Sequence, residues 1–278
     1  MNFSVVMACH GGSDIEKFNV ALSSVIDQTV QPSEIIIVCD GRIDGLPLQS
    51  RLDEIDHLGR IDNIVIQVLK SPTNVGPGNA RNIGVSAANN DIIFIMDDDD
   101  FSVTTRFELQ LFRFKVDPEL AVLGGNIEEV WEISEKKYRQ RSRSIVSNQK
   151  LSKQDLNFGS PMNNVTLSFR KDAFEAVGGY ADLRAAEDYA LISKFILNGY
   201  KCMNLDDVLV RVTCDDQMLL RRGSWRSFRS EIRFLKWANK NSVFDSRGKT
   251  LHLIKALMKL LMPSRMLLMT YKLQRGIK

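Results

Sequence analysis

The sequence has few cysteines and no long hydrophobic run, and both absences narrow the class of protein. Its four cysteines, Cys9, Cys39, Cys202 and Cys214, lack the paired spacing of a zinc site and form no C-x-x-C redox motif. No apolar stretch reaches the length of a transmembrane helix. Unpaired thiols, and the lack of a signal-peptide pattern before the first apolar run at Phe3, predict a cytoplasmic protein.

The charge of the chain does not indicate a nucleic-acid partner. The net charge of the 278 residues is only +3, so we expect no nucleic-acid binding. With 44% hydrophobic residues, the chain can form a sizeable core. The charge is unevenly distributed, because Asp245 is the last acidic residue and every later charge is positive. This asymmetry marks the C-terminal end as a separate basic segment.

The first hundred residues alternate between short apolar runs and helical patterns. Ser13 and Glu16 form a capping-box pattern that predicts the start of a helix. Small residues after Gly78 suit a second helix that packs closely on a sheet. Strands that alternate with helices predict an α/β fold, with a mostly parallel central sheet flanked by helices. The predicted buried strands are Phe3–Ala8, Glu34–Val38, Val65–Leu69 and Ile92–Met96.

The pattern beyond Arg106 is less regular. Lys136–Lys153 is polar and basic with little apolar content, which predicts a mobile loop or a partly ordered lobe. Gly199 is placed to end a helix in the usual C-cap position. The other predicted elements are helices around Phe107–Phe114 and at Glu187–Leu197, and strands at Ala121–Val130, Val165–Phe169 and Val208–Thr213.

Four consecutive aspartates, Asp97–Asp100, directly follow the buried run Ile92–Met96. A strand in this position delivers their charge to the edge where open α/β sheets bind ligands. Carboxylates this close repel one another unless a cation lies among them. A divalent metal with oxygen ligands and a phosphate explains the cluster. The alternative is a solvated turn that caps the next helix, a role we expect for Asp100 alone.

Other charged residues are predicted to lie at the same edge of the sheet. Asp40 ends the second strand, and Arg81 lies in the first turn of a helix, where a cation opposes the dipole and needs an anion. The pair Glu187–Asp188 opens another helix, and on this pattern alone it could merely complement the helix dipole. The pair Arg221–Arg222 follows the last strand, either as a phosphate clamp or as a solvated basic pair.

Five segments, in this order, resemble family 2 glycosyltransferases of the GT-A fold. They are SVVMACHGG, the pattern S-x-x-x-Q-T-x-x-P-x-E-I-I-I-V at Ser24–Val38, NVGPGNARNIG, FIMDDDDF and VGGYADLRAAEDYALISKFILNGYK. The stretches SPMNNVTLSFRK and MLLRRGSW resemble the subgroup that builds bacterial exopolysaccharide and O-antigen units, of the amylovoran type. The resemblance implies a GT-A domain at 1–222, with a nucleotide-binding half at 1–105 and an acceptor-binding half at 106–222. An amphipathic helical extension at 223–278 follows.

The resemblance implies a nucleotide-sugar and a metal. Asp40 matches the aspartate that hydrogen-bonds the uracil of a UDP-sugar, and His10 stands where an aromatic ring usually stacks on the base. Asp97 and Asp99 match the D-x-D pair that binds Mn²⁺ or Mg²⁺. The residues assigned to the nucleotide-sugar are Ala8, His10, Asp40, Arg81, Asp97, Asp98, Arg221 and Arg222.

The resemblance also implies a reaction. Asp188 matches the family's general base, which Glu187 orients, and Asn164 is assigned to the acceptor side. The metal would neutralise charge on the departing UDP while Asp188 deprotonates an acceptor hydroxyl, so that a single displacement inverts the anomeric configuration. The Q-x-x-R-W motif of processive synthases is absent, which predicts one sugar per encounter.

The sequence departs from the family pattern at two places. Cys39 stands where a second aspartate commonly precedes Asp40, and Cys214–Asp216 replaces a region that often supplies a histidine ligand, so the third metal ligand stays unassigned. Two alternatives are a sugar-nucleotide pyrophosphorylase and a non-catalytic sugar-nucleotide-binding protein. The first would have a catalytic lysine directly after the first strand, where this chain has none. The second would predict loss of the base or of the metal ligands, whereas Asp97, Asp99 and Asp188 are all present.

The segment Thr250–Lys278 places aliphatic residues at helical spacing among lysines and arginines, with Pro263 dividing it. One interpretation is an amphipathic helix packed on the catalytic domain. The other is an interfacial helix pair on anionic lipid, close to a polyprenyl-diphosphate-linked acceptor. We favour the second because acidic residues are lacking, which predicts peripheral association with the inner face of the plasma membrane.

Overall fold

The computed structural model describes residues 1–134, 137–143, 147–214 and 225–261. Its strands are β1 (Ser4–His10), β2 (Glu34–Asp40), β3 (Arg60–Ile61), β4 (Ile64–Lys70), β5 (Ile92–Asp97), β6 (Phe101–Ser102), β7 (Leu120–Ser134), β8 (Lys137–Arg143), β9 (Ser168–Arg170) and β10 (Lys201–Cys214). Its helices are α1 (Ile15–Ile26), α2 (Pro47–Leu58), α3 (Pro77–Ala87), α4 (Arg106–Val116), α5 (Lys171–Ala176), α6 (Glu187–Leu197), α7 (Trp225–Lys240) and α8 (Ser246–Leu261).

Within the described residues, the strands form one sheet in the order β3-β4-β2-β1-β5-β9-β7-β10-β6, and β8 pairs with β7. The strands β4, β2, β1 and β5 run parallel, as do β7 and β10. Every residue of β2 is buried, because helices cover both faces of the parallel part. The predicted fold class is therefore confirmed: a mostly parallel central sheet flanked by helices.

Successive residues of the central strands feed two different hydrophobic clusters, one on each face of the sheet. On β1, Val5 belongs to one cluster and Val6 to the other. The helix α3 approaches the second face closely, since a Cβ on Gly84 would lie 2.5 Å from the Val6 side chain. The small residues predicted for this helix are thus explained by its contact with the sheet. All four cysteines are buried.

The predicted strands of the first hundred residues are confirmed, and each extends one or two residues further toward its carboxyl end than predicted. The strand β1 continues to His10 and β2 to Asp40, so both side chains belong to strand ends. The predicted capping box of α1 is wrong. Asp14 is the N-cap and accepts the first-turn N–H groups, while the Ser13 hydroxyl accepts the backbone N–H of His10.

The predicted loop at Lys136–Lys153 is wrong for the part that forms β8. This polar stretch pairs antiparallel with β7, which supplies its backbone hydrogen-bond partners. The composition of β8 does not indicate this pairing. The strand predicted at Val165–Phe169 begins only at Ser168, because Asn164–Thr166 forms a 3₁₀ turn. The predicted helix Glu187–Leu197 is confirmed, with Gly199 just beyond it at φ +82°.

The helices α7 and α8 pack on the domain next to α6. Tyr189 of α6 stacks on Phe234 of α7, with ring centres 4.9 Å apart, and its hydroxyl lies 3.4 Å from Nε2 of the buried His252 on α8. In the part of the chain that is described, no helix is both long and apolar enough to cross a membrane. The proposed domain boundary at 222 lies outside the described residues and stays a prediction.

Candidate active site

Three neighbouring strands end at one edge of the sheet and bring the first predicted site residues together. In the parallel register, Ala8 of β1 lies beside Asp97 of β5, and His10 of β1 lies beside Asp40 of β2. His10 has a fixed orientation, because its Nδ1 accepts the backbone N–H of Gly12 at 2.8 Å. The four assigned residues thus share the carboxyl edge of the sheet, where α/β folds bind ligands.

The carboxylate of Asp40 holds the loop that leads into α3. Its two oxygens accept the backbone N–H groups of Val75 at 2.6 Å and Gly76 at 2.9 Å. Arg184 crosses to the same loop and donates to the Asn74 side chain. Asp40 therefore fixes the backbone conformation of this loop through these two hydrogen bonds. A cleft of about 460 Å³ opens beside it, lined in part by Gly41, Arg42, Ile43, Lys70 and Ser71.

The turn Asp97–Asp100 concentrates negative charge with few protein partners. Burial, aided by the neighbouring carboxylates of Asp97 and Asp98, raises the pKa of Asp99 to about 6. Burial also raises the pKa of Asp98, which the Ser13 side chain opposes. One carboxylate oxygen of Asp98, Oδ2, is buried and has no hydrogen-bond partner among the described residues. Carboxylates in this state are stabilised by a cation.

The donor set of this turn suits a hard divalent cation that also binds a phosphate. Within the described residues, no group of three histidine, cysteine or acidic side chains is arranged to hold a metal. Mg²⁺ commonly takes one or two carboxylates and completes its octahedron with water and phosphate oxygens. The two carboxylates of Asp97 and Asp99 suit that mode. The structure offers oxygen donors for the metal but, among the residues it describes, no complete protein cage.

Asp100 has a different role from the one predicted. It is buried, and its Oδ1 accepts the backbone N–H of Thr213 at 3.2 Å near the end of β10. The residue at the N-cap of α4 is Thr105, because β6 intervenes between the turn and the helix. The predicted capping role of Asp100 is therefore wrong. It ties the acidic turn to the strand that precedes the predicted Arg221–Arg222 pair.

Arg81 connects the acidic turn to the helix that carries the predicted base. Its guanidinium contacts Asp97 at 2.6 Å and Glu187 at 3.1 Å, although the arginine is only 7% exposed. Burial disfavours its charge, but Asp97, Tyr180 and Glu187 outweigh this effect and raise its pKa. Because both of its carboxylate contacts are protein groups, Arg81 braces the site.

Glu187 and Asp188 begin α6 after a strained residue. Ala186, directly before them, has φ +57°, in the left-handed region that few alanines adopt. Burial raises the pKa of Asp188, and the charge of Arg81 partly opposes it. Burial and the charge of Asp188 raise the pKa of Glu187, while Arg81 lowers it. The pair thus holds one carboxylate that is ion-paired to Arg81 and one, Asp188, whose pKa is raised by burial.

The loop before α6 is fixed by residues that the sequence pattern does not single out. Asn82 of α3 accepts the Tyr180 N–H and donates to the Tyr180 carbonyl. The hydroxyl of the buried Tyr180 donates to Asn164 at 3.2 Å, and Arg81 lies 5.7 Å from its ring centre. Asn164 is thereby placed beside the Arg81–Glu187 pair. The sequence feature that could have pointed to Asn82 is the motif NARNIG, in which it directly follows Arg81.

Arg221 and Arg222, assigned to the diphosphate, lie outside the described residues. So do Asp215 and Asp216, which belong to the region where the family often has a further metal ligand. The structure accordingly brings together Ala8, His10, Asp40, Arg81, Asp97, Asp98, Asp99, Asn164, Glu187 and Asp188.

Comparison with known proteins identifies the family. Residues 4–178 match the family model described as Glycosyl transferase family 2. The chain is 29% identical to the amylovoran biosynthesis glycosyltransferase AmsE of Erwinia amylovora, over 98% of this chain and 99% of that protein. It is 32% identical to the Escherichia coli UDP-Gal:alpha-D-GlcNAc-diphosphoundecaprenol beta-1,3-galactosyltransferase, over 83% of this chain and 81% of that protein.

The solved structures agree on the fold. The S. aureus TarS 1–349 structure in complex with UDP aligns with a TM-score of 0.61 and 17% identity, covering 92% of this chain and 71% of that one. At this identity the alignment shows a shared fold. The family match and the near full-length relatives carry the assignment. The chain is a glycosyltransferase and belongs to glycosyl transferase family 2.

Proposed function

We propose that this glycosyltransferase transfers one sugar from a UDP-sugar, with Mn²⁺ or Mg²⁺ and inversion of configuration, to a lipid-linked oligosaccharide of a bacterial surface polysaccharide. The observation that carries the proposal is the Arg81 bridge. By pairing with Asp97 and with Glu187, Arg81 holds the acidic turn close to the start of α6, where Asp188 follows Glu187. A metal-held leaving group and a base are the two requirements of such a transfer.

Each residue of the candidate active site has a defined task in this reaction. Asp97 and Asp99 would hold the metal, which supplies charge neutralisation at the departing diphosphate. Asp188 accepts the proton of the acceptor hydroxyl, and its raised pKa brings it closer to the working pH than an ordinary aspartate. Glu187 stays ion-paired to Arg81 and fixes the start of α6. His10 and the loop held by Asp40 would enclose the uracil ring of the nucleotide.

The UDP-sugar donor and lipid-linked acceptor are supported by the relatives' names. The Escherichia coli relative is named for UDP-Gal and a diphosphoundecaprenol acceptor, and the Erwinia relative for amylovoran biosynthesis. The neighbouring TarS structure contains UDP. A diphosphoundecaprenol acceptor resides in a membrane, so an enzyme that uses it must work at the lipid surface.

We extend the proposal to a lipid-binding face on α8. His252 and Ala256 on one side of this helix are buried against the domain. The opposite side exposes four large apolar residues, at 42–54% exposure, next to Lys249. No acidic residue follows Asp245, so an anionic bilayer complements this face in both charge and polarity. The four exposed residues are Leu253, Ile254, Leu257 and Met258.

A liposome experiment tests the membrane part of the proposal. The wild-type chain should co-sediment with phosphatidylglycerol vesicles in a salt-sensitive way, and Leu257→Glu should reduce this binding about tenfold or more. The matched control is Phe112→Glu, which alters an apolar residue on α4 that is 64% exposed. Equal binding of the wild type and both variants, or no binding by any of them, would contradict a lipid-binding face on α8.

A turnover experiment tests the chemistry. UDP release is measured with individual UDP-hexoses, Mn²⁺ and a prenyl-diphosphate-linked sugar, and the linkage of the product is read by NMR. An inverted anomeric centre and loss of turnover in Asp188→Asn support the proposal. Binding of a UDP-sugar without turnover would favour the non-catalytic alternative, and a product formed from a nucleoside triphosphate and sugar phosphate would favour a pyrophosphorylase.

A further inference from the structure

Arg106 is a fully buried arginine that contacts the two strand residues directly before the acidic turn. It is the first residue of α4 and has no exposed surface. Its guanidinium donates to the Ile95 carbonyl at 2.8 Å, to Oε1 of Gln110 at 3.1 Å and to Sδ of Met96 at 3.5 Å. It also lies 5.5 and 5.9 Å from the centres of two phenylalanine rings. All of these partners are electrically neutral.

A buried cation with neutral partners is unfavourable, and two features add to its cost. Among the described residues, none of the ion pairs includes Arg106. A cation at the first residue of a helix also opposes the helix dipole. Burial lowers the pKa of Arg106 to about 9, and Asp97 and Asp100 act in the opposite direction. The group therefore stays charged at neutral pH, and the carboxylates of Asp97 and Asp100 favour that charged form.

The position of this charge is fixed before any ligand binds. Ile95 and Met96, its contacts on β5, immediately precede Asp97. Gln110, its third contact, is itself held, because its amide donates to the Leu123 and Thr166 carbonyls and to the Ser168 hydroxyl. Arg106 consequently cannot swing away when another cation approaches the end of β5.

We propose that Arg106 is the built-in counter-cation of the turn Asp97–Asp100, which keeps the turn folded without metal and weakens the binding of metal alone. The inference rests on one part of the proposed function, the binding of a divalent metal by this turn. A fixed cation offsets repulsion among the four carboxylates when no metal is bound. The same charge repels an incoming divalent ion, so tight metal binding would require the negative diphosphate as well. Arg106 acts through the aspartates and is a positioning residue.

The test measures the affinity of the purified chain for Mn²⁺ alone, from the electron paramagnetic resonance signal of free Mn²⁺. Arg106→Met removes the charge and should tighten Mn²⁺ binding about tenfold, while making thermal stability more dependent on Mn²⁺. Arg106→Lys keeps the charge and should bind Mn²⁺ within about twofold of the wild type. Arg113→Met, two turns further along α4 and also beside a methionine sulfur, is the matched control and should bind as the wild type does.

The outcomes separate the two proposals. If the wild type binds Mn²⁺ and Arg106→Met binds it equally or more weakly, the counter-cation role is wrong while the metal site stands. If no form binds Mn²⁺ alone, the titration is repeated with UDP present: equal binding by the wild type and Arg106→Met then contradicts the counter-cation role, and no binding by any form contradicts the metal site as well. Folding of Arg106→Met only in the presence of Mn²⁺ would support the role. If Arg106→Met never folds, the test depends on Arg106→Lys. A change of more than twofold in the Mn²⁺ affinity of Arg106→Lys would contradict the counter-cation role.

Discussion

The two acidic groups that Arg81 links, the turn Asp97–Asp100 and the pair Glu187–Asp188, have different surroundings. The turn ends a strand and includes an unpartnered buried oxygen on Asp98. The pair opens a helix, and its first member is 9% exposed and bound to Arg81. Crowded carboxylates with an oxygen that the described residues leave unpartnered favour a metal, whereas a carboxylate supported by a neighbouring ion pair suits proton transfer.

This difference indicates why the proposed reaction needs both groups. A metal site would have to accept a charged ligand and release it, which suits carboxylates that the described residues leave partly unpartnered. A base would have to keep its direction through turnover, and Asp188 follows a residue that is anchored to Arg81 and a loop that is anchored to α3. Arg81 contacts one member of each group and holds the two at a fixed separation.

The largest expected effect separates the base from the metal site. Asp188→Asn should lower kcat about 10³-fold, because the amide has nearly the same shape but cannot accept the proton. Its affinity for the UDP-sugar should stay near that of the wild type. The measurement is steady-state turnover beside calorimetric binding. Retention of more than a tenth of the wild-type kcat would remove Asp188 from the mechanism.

The next effect concerns the link between the groups. Arg81→Met should lower the free energy of unfolding by about 3 kcal/mol or more, because it leaves Glu187 buried without its cation. Arg51→Met is the control, since the Arg51–Glu54 pair is solvent-exposed and should cost less than about 1 kcal/mol. Urea denaturation measures both. Similar losses for the two variants would show that the Arg81 bridge is not a structural link.

A smaller effect is expected at the acidic turn itself. Asp99→Asn should reduce Mn²⁺-supported turnover about 10²-fold, since one charged ligand is lost from the site. Raising the Mn²⁺ concentration should restore part of the activity. Asp53→Asn, at an exposed aspartate paired with Lys70, is the control and should leave turnover unchanged. If excess Mn²⁺ restores nothing and thermal stability is intact, Asp99 does not bind the metal.

The smallest effect is a shift in pH dependence. The base must be deprotonated, so kcat/KM should fall as pH decreases through the raised pKa of Asp188, above the ordinary value of 3.8. Glu187→Gln removes a neighbouring negative charge and should move this fall to lower pH. Glu175→Gln, on the exposed surface of α5, should not move it. A shift to higher pH in Glu187→Gln would reverse the assigned electrostatics.

The sequence predicts the elements whose burial shows in their composition. The runs that form β1, β2, β4 and β5 are mostly aliphatic, and their common direction is enough to predict that Asp40 and Asp97 lie at one edge. The helix α2 is not predicted, because only Leu48, Leu52 and Ile55 bury its face. The strand β8 is not predicted either, because its pairing with β7 depends on tertiary structure.

Contacts between distant residues account for what the sequence does not show at the site. Arg81 is predicted to bind the nucleotide, but its partners include Glu187, 106 positions away, and no local pattern encodes that ion pair. Asp40 is predicted to bind the uracil, and its carboxylate also anchors the loop at Val75. Arg106 receives no predicted role, because an arginine at the start of a helix gives no sign in sequence of complete burial.

Binding of UDP as a function of Mn²⁺ concentration tests most directly whether the turn Asp97–Asp100 binds the metal and Asp188 does not. Calorimetry is carried out with the wild type, Asp99→Asn and Asp188→Asn, each with and without Mn²⁺. We expect Mn²⁺ to strengthen UDP binding to the wild type and to Asp188→Asn by the same factor, and to have little effect in Asp99→Asn. Loss of the Mn²⁺ effect in Asp188→Asn, or its full retention in Asp99→Asn, would contradict the account.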